Sequence, residues 1–441
     1  MSQENLQILQ SGNLVNAKRL DLSCGLTEVP REVFEHSETL EVLNLTGNAL
    51  SSLPEDLPRL HKLRILFCSS NQFTTFPEVV GECSSLQMVG FKSNQIEQVP
   101  DMEFPEELRW LILTDNRIKT LPESLGQCTQ MQKLMLSGNQ LRSLPESFAQ
   151  FANLELLRLA ANEFAHLPSW LTSLPRLAWL AFAGNPVAPA PSSDDIPMTD
   201  IPWSALQLEN LLGEGASGRI SKAQWHSGNG SAPRAVAVKV FKGAMTSDGL
   251  PENEMAAALA AGRHENFVDV LGRITQHPHG AHGLVMSLLD EGFMNLAGPP
   301  DFESCTRDIY TGGQTFSLGT AHGIALSAAS VGVHLHARGL MLGDMYAHNI
   351  LHHDDGRCRI TDFGGATFVP QGDLGLKQAL ERLEVRAFGI LLEELLDRCT
   401  GDTAESRAVN TMRTLQAQCQ GTPSERPLFA DIQRLLESIV P

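Results

Sequence analysis

Apolar residues in the first 186 positions follow two superimposed rhythms. Within each short stretch they alternate, as in LEVLNLTGNALSSLPEDL and MQKLMLSGNQLRSLPESF. Alternation puts every second side chain on one face of a strand. Across stretches an asparagine returns at Asn48, Asn71, Asn94, Asn116, Asn139, Asn162 and Asn185, a step of 23 residues with one of 22. LDLSCGL fits the same frame, with Gly25 in the asparagine position. Each unit reads LxxLxLxxNxLxxLPxxL, and self-similarity at a fixed period of this length predicts a solenoid. The leucines form a short strand with one inward face. The asparagine turns inward, where its amide can satisfy backbone groups of the turn. The LPxxL that follows carries the chain back along the other side. No unit can bury its leucines alone, so the stack makes the core. Cys68 stands in a leucine position, and Cys83 and Cys128 occupy matching places in their repeats; all three are read as core fillers.

This pattern resembles leucine-rich repeats, covering residues 17–186, with residues 1–16 as an N-terminal cap. The outward strand positions are Val42, Ile65, Phe67, Met88, Trp110, Ile112, Met135, Leu156 and Trp179. An outward apolar stripe with two tryptophans predicts a protein-binding concave face, with Phe67, Met88, Trp110, Met135 and Trp179 as contacts. The other reading is that the stripe packs on the chain's own second half.

After AFAGNP the chain runs PVAPAPSSDDIPMTDIP, rich in proline, serine and aspartate. Residues 187–203 therefore read as a semi-rigid linker, and a new pattern occupies 204–441. LLGEGASGRI holds Gly213, Gly215 and Gly218 in GxGxxG, with Ile220 two places on. Such glycines let backbone N–H groups approach phosphates closely. A dinucleotide fold would continue straight into a helix. Here a turn is followed by the β-rich run AVAVKVF, with Ala237 and a single lysine, Lys239. An alanine-rich helix comes next, opened by Glu254, the carboxylate best placed to fix Lys239, with Glu252 second. GLVMSLLDEGF reads as a strand leading to a hinge. Asp344 and Asn349, in GDMYAHNIL, are spaced D-x4-N, and ITDFGGA supplies Asp362-Phe363-Gly364.

This ordered set resembles the eukaryotic-like protein kinases over residues 204–441, and the whole chain resembles bacterial leucine-rich-repeat protein kinases. The resemblance implies an α/β leucine-rich-repeat solenoid (a horseshoe) followed by an α+β bilobal kinase-like domain. It also implies ATP and Mg²⁺ as cofactors. Lys239, paired with Glu254, would hold the phosphates. Asp344 would take the proton of the attacking hydroxyl, and Asn349 and Asp362 would be hard oxygen ligands for Mg²⁺. The ATP pocket would be Gly213, Gly215, Gly218, Ile220, Ala237, Lys239, Met286 at its back, the backbone of Ser287 and Leu289, and Leu351.

Several positions depart from that pattern. Leu342-Gly343-Asp344 stands for the usual His-Arg-Asp, so no arginine can read an activation-loop phosphate. Tyr346 replaces a lysine that helps neutralise the γ-phosphate, and His348 stands where tyrosine kinases carry an arginine. Glu384 replaces a bracing aspartate, and Arg426 matches an arginine whose usual partner motif is missing. Between Gly364 and EVRAFGILLEEL, Thr367 is the sole hydroxyl residue. Activity is therefore expected without an activation-loop switch, with Thr367→Ala near normal.

The bulk numbers narrow the picture. The net charge of −18 comes without a basic stripe, which argues against nucleic acid. A basic n-region followed by an apolar stretch is missing, as is a run of about 20 apolar residues, so no membrane span and a cytoplasmic place are expected. The eight cysteines show no CxxC pair and read as free thiols. His277, His279, His282 and the His352–His353 pair lack cysteine partners at finger spacing. The function expected is transfer of the ATP γ-phosphoryl group to a protein hydroxyl, with serine or threonine taken first and tyrosine or a small-molecule acceptor left open, and with the repeats choosing the partner. The alternative is a nucleotide-binding pseudokinase scaffold.

Overall fold

The structure is a computed structural model. It describes residues 2–12, 14–191, 196–215, 217–228, 230, 232–242, 245–353, 356–400 and 407–440. Part of the expected linker, 192–195, lies outside them. The chain divides into two compact units: Met1–Arg176 with Asn185–Val187, and Leu177–Gly184 with Ala188–Pro441.

The first unit opens with helix α1 (Ser2–Gln10). It buries Leu9, and Asn5 Nδ2 donates to the carbonyl of Asp21 at 3.1 Å. Three-residue strands then repeat: β1 (Arg19–Asp21), β2 (Val42–Asn44), β3 (Ile65–Phe67), β4 (Met88–Gly90), β5 (Trp110–Ile112), β6 (Lys133–Met135) and β7 (Leu156–Arg158). Each pairs in parallel with the next, Val42 opposite Ile65, Ile65 opposite Met88, Met88 opposite Trp110. Proline-led 3₁₀ turns such as Glu123–Gln127 and Glu146–Gln150 carry the chain back. The asparagines form a ladder. Asn139 Nδ2 donates to the carbonyls of Leu113 and Leu136, both at 2.9 Å, and its Oδ1 accepts from Ile118 N–H at 3.1 Å. The residue before each asparagine is left-handed, at Gly47, Ser70, Ser93, Asp115, Gly138, Ala161 and Gly184. That turn aims the amide inward.

The expected partner stripe is narrower than the sequence suggests. Met88 is 1 % exposed and Met135 7 %. Adjacent strands lie about 4.8 Å apart, so large apolar side chains in one row cover each other: Met88 between Ile65 and Trp110, Met135 beside Ile112 and Arg158. Phe67 and Trp110 remain half-buried, with Lys133 Nζ 4.2 Å from the centroid of the Trp110 ring. Trp179 is not on a free face at all. Its strand, β8 (Trp179–Ala181), belongs to the second unit and the indole is 1 % exposed.

In the second unit the expected linker is partly folded. Its end forms β9 (Asp200–Pro202), which pairs in parallel with β13. A six-stranded sheet runs β10-β11-β12-β14-β13-β9, where β10 is Leu206–Glu214, β11 Gly218–Trp225, β12 Arg234–Phe241, β13 Val270–Thr275 and β14 Gly283–Ser287. Its buried side centres on Ala223, Val236, Val238 and Val285. Helix α2 (Pro251–Ala261) lies between β12 and β13 in the chain. Beyond β14 comes β15 (Met294–Asn295), then a stretch without regular structure up to α3 (Leu318–Ala337). Short strands β16 (Leu340–Met341), β17 (Ile350–His352), β18 (Cys358–Ile360) and β19 (Thr367–Phe368) carry the loops of the site. Helices α4 (Leu374–Leu396), α5 (Arg407–Cys419) and α6 (Phe429–Glu437) finish the unit, with α3 packed against α4 and α6. Among the described residues α3 is the one helix long and apolar enough to cross a membrane by length and composition, a run the sequence expectation passed over. Here Ile324, Ala325, Ala328, Ala329, Val331 and Leu335 of that helix are core residues.

Candidate active site

The glycine-rich turn joins two long antiparallel strands, and its three glycines differ in what their own fold asks. Gly218 is packed: a Cβ there would sit 2.7 Å from the Val240 carbonyl oxygen. Gly213 and Gly215 would meet nothing within 4 Å, and neither has a left-handed φ. Neither packing nor backbone conformation requires glycine at those two places. Gly215 N–H donates to Gly218 O at 3.0 Å, closing the turn.

Lys239 stands opposite Ile220 on the neighbouring strand. The β12 alternation places it on the side facing α2, where proline at N1 starts the helix and Glu254 lies in its first turn. Lys239 and Glu254 form a buried ion pair, 8 % and 5 % exposed. Burial works against the lysine's charge, but Glu254 and Asp362 outweigh it and raise its pKa, keeping the ammonium protonated. Glu252, the second candidate, instead has His282 as a neighbour at 3.7 Å. Gly215, Gly218, Ile220, Lys239, Asp362 and Gly364 line a common cleft of about 110 Å³.

The segment after α3 supplies the remaining groups. Asn349 Nδ2 donates to the main-chain oxygen of Asp344 at 3.1 Å and to its Oδ2 at 3.0 Å. Tyr346 N–H also donates to the Asp344 carbonyl, at 2.9 Å. Glu384, from α4, braces this loop as the sequence suggested. Its Oε1 accepts from Gly343 N–H and its Oε2 from His336 Nε2, each at 2.6 Å. Thr361 N–H and Oγ1 both donate to Asn349 O at 3.1 Å, tying the loop to the strand that leads to Asp362. Asp362 Oδ1 accepts from Gly364 N–H at 2.8 Å, and Phe363 is buried edge-on against Phe267, with centroids 5.3 Å apart.

On the far side of the cleft, Ala237 faces Met286 across β12 and β14. Ser287 N–H donates to Asp269 O at 2.9 Å. Leu289 follows β14, and Leu351 lies half-buried on β17. Arg426 reaches two main-chain carbonyls: Nε donates to Gly421 O at 3.0 Å and Nη1 to Arg382 O at 3.2 Å. Burial, and then Arg386, lower its pKa to about 10.

Two site residues escaped the sequence reading. Asp308, from the irregular stretch before α3, accepts from His348 N–H at 3.0 Å and pairs with His348 Nδ1 at 2.7 Å. Burial opposes a charged imidazole, but Asp308, with help from Asp344 and Asp362, raises the His348 pKa above the usual histidine value. Asp248 lines the cleft with Asp362, ahead of α2. Neither belongs to a spaced motif; Asp308 is 40 residues from its partner.

Residues 206–387 match the protein tyrosine and serine/threonine kinase family, and residues 15–73 and 106–164 match the leucine rich repeat family. The chain is similar to fibroblast growth factor receptor 1 of Pleurodeles waltl, 27 % identical over 44 % of this chain and 24 % of the receptor. It is similar to the dual serine/threonine and tyrosine protein kinase of Bos taurus, 26 % identical over 40 % of this chain and 22 % of that one. It is also similar to the DNA damage-responsive serine/threonine-protein kinase RqkA of Deinococcus radiodurans, 33 % identical over 36 % of this chain and 22 % of the relative. The aligned part thus spans about a quarter of each relative's length. Repeats with a parallel ladder, then a mixed sheet, a Lys239–Glu254 pair and a braced Asp344 loop, agree with both matches: the chain carries leucine-rich repeats followed by a protein kinase domain.

Proposed function

We propose that this protein is an active kinase that transfers the γ-phosphoryl group of ATP to a protein hydroxyl. A kinase domain implies ATP and a divalent cation, and the residues present fit both. Gly213 and Gly215 leave open space where their fold needs none, as a loop covering phosphates does. Lys239 is held protonated and aimed by Glu254. Asp362 and the side-chain oxygen of Asn349 are hard donors of the kind Mg²⁺ takes. When bound, the cation neutralises charge on the phosphates.

The chain's own residues then have these tasks. Asp344, its main chain fixed by Tyr346 N–H and Asn349 Nδ2, accepts the proton of the attacking hydroxyl. Lys239 orients the phosphates. His348, whose protonated form Asp308 favours, is the side chain nearest in role to the lysine that Tyr346 replaces. The observation that carries the reading is the closed Lys239–Glu254 pair facing the same cleft as Asp362. A serine or threonine acceptor follows the printed name of the Deinococcus relative, and phosphoamino-acid analysis decides it. The repeats are proposed to present a protein partner through Phe67 and Trp110, and the protein is proposed to be cytoplasmic.

The test is the full chain with γ-labelled ATP, Mg²⁺ and a generic protein acceptor, wild type beside Asp344→Asn. Wild type should transfer label and the variant should lose at least about a hundredfold, the usual size of general-base catalysis. Stabilisation by MgATP without transfer in either protein would instead favour a nucleotide-binding scaffold.

A further inference from the structure

Two departures from the usual kinase sequence, Gly343 and Tyr346, meet Thr367 at one place in the second unit. Gly343 is left-handed, with φ +71°. A Cβ there would lie 2.4 Å from Gly365 O and 2.6 Å from Leu180 O, so no arginine can stand in its place. The Tyr346 ring lies parallel to the Trp179 indole, with centroids 4.1 Å apart and planes 7° apart. The indole N–H donates to Met345 O at 3.1 Å. Thr367 Oγ1 accepts from Phe182 N–H at 3.2 Å, and the hydroxyl donates to Gly365 O at 3.2 Å. Trp179, Tyr346 and Thr367 are all buried. Arg307, from the stretch that also holds Asp308, lies 5.6 Å from the indole centroid.

Leu180, Trp179 and Phe182 all belong to Leu177–Gly184, the last strand and turn of the repeat pattern, grouped with the kinase unit. We propose that this segment holds the catalytic loop from outside it, and that Trp179 is a positioning residue for Asp344. Where an activation-loop phosphate reaches an arginine beside the catalytic aspartate, the loop is set by modification. Here a stacked indole and an indole hydrogen bond hold Met345 and Tyr346, the two residues after Asp344. Tyr346 N–H in turn holds the Asp344 carbonyl. Gly343 and Tyr346 are then fitted replacements, Thr367 ties the same segment through Phe182 N–H, and the catalytic loop is set without phosphate.

The kinetic test rests on the phosphotransfer reading; an exchange measurement does not. Trp179→Ala and Trp179→Phe are made in the full chain, with kcat, KM for MgATP, thermal midpoint and amide hydrogen exchange at residues 342–349 as readouts. Trp179→Ala should lower kcat at least tenfold, leave KM for MgATP within twofold and speed exchange at 342–349. Trp179→Phe, which keeps a stacked ring, should recover at least half of kcat. Unchanged kcat in the alanine variant overturns the proposal, as does a phenylalanine variant as poor as alanine. A parallel loss of kcat and MgATP binding also overturns it, since that marks a core residue alone. If the wild type transfers nothing, the proposed function fails. Exchange then decides this inference: faster exchange confined to 342–349 supports it, and unchanged exchange sinks it.

Discussion

His348 holds its proton more tightly than a free imidazole because a residue far away in sequence faces it. Its folded pKa lies above the ordinary value of about 6.5, so the folded state holds its proton more tightly than the unfolded chain. The stability this supplies is complete below the ordinary pKa and is lost as pH rises through the raised one. The thermal midpoint of wild type should therefore exceed that of His348→Gln most at about pH 5.5, with the gap closing towards about pH 9. A gap independent of pH would mean that Asp308 holds a neutral ring. Thr367 needs a revised expectation. The sequence alone makes it a dispensable hydroxyl, yet it is 0 % exposed and accepts from the Phe182 amide. Phosphatase should leave activity unchanged, because the hydroxyl is out of reach of any kinase. Thr367→Val should destabilise by about 1–3 kcal/mol, the cost of a buried amide left unmet, as urea midpoints would show. A cost below about 0.5 kcal/mol would show that another acceptor takes over the amide.

At the scale of elements, three-residue strands have no stability of their own, and the repeats stand because neighbours share leucines and asparagines. Asn139 serves three backbone groups from three segments. Asn139→Ala leaves the buried Ile118 N–H unmet, while Leu113 O keeps Asn116 Nδ2 and Leu136 O keeps Asn162 Nδ2, so the first unit should lose about 1–3 kcal/mol. A loss under about 1 kcal/mol in equilibrium urea unfolding would show that the ladder follows the fold rather than holding it. The glycine turn has the opposite logic. Gly213→Ala meets no atom of the protein, so stability should stay within about 0.5 kcal/mol of wild type. Binding of MgATP, read as its stabilising shift, should weaken. An unchanged MgATP shift would show that ligand does not approach that backbone. These two elements were legible beforehand, since a repeat and a spaced motif are local. The β9 strand was not: DIP carries no strand signal of its own and pairs because β13 offers it an edge.

For the whole molecule, the position of Leu177–Gly184 changes what a kinase fragment is. A chain begun at Ala188 retains every catalytic motif but loses Trp179 and Phe182. Deleting a buried tryptophan side chain alone costs about 3–5 kcal/mol, a large share of the roughly 5–15 kcal/mol that holds a domain. That fragment should unfold at clearly lower urea than the same unit in the full chain, as followed by amide exchange. Equal midpoints would show that the segment is dispensable.

By itself the sequence determined the repeat period, the solenoid and the kinase-like order of motifs, and it singled out Lys239, Glu254, Asp344, Asn349 and Asp362 as candidates. Each of these is a local pattern of residue types fixed by backbone geometry or by the chemistry of phosphate. Only the tertiary structure decided that Met88 and Met135 are covered, that Trp179 faces Tyr346, that Asp308 faces His348 and that Gly343 yields to the Leu180 carbonyl. Those facts depend on which distant segments share space. A period can say that a side chain leaves the strand outward, but not what waits there.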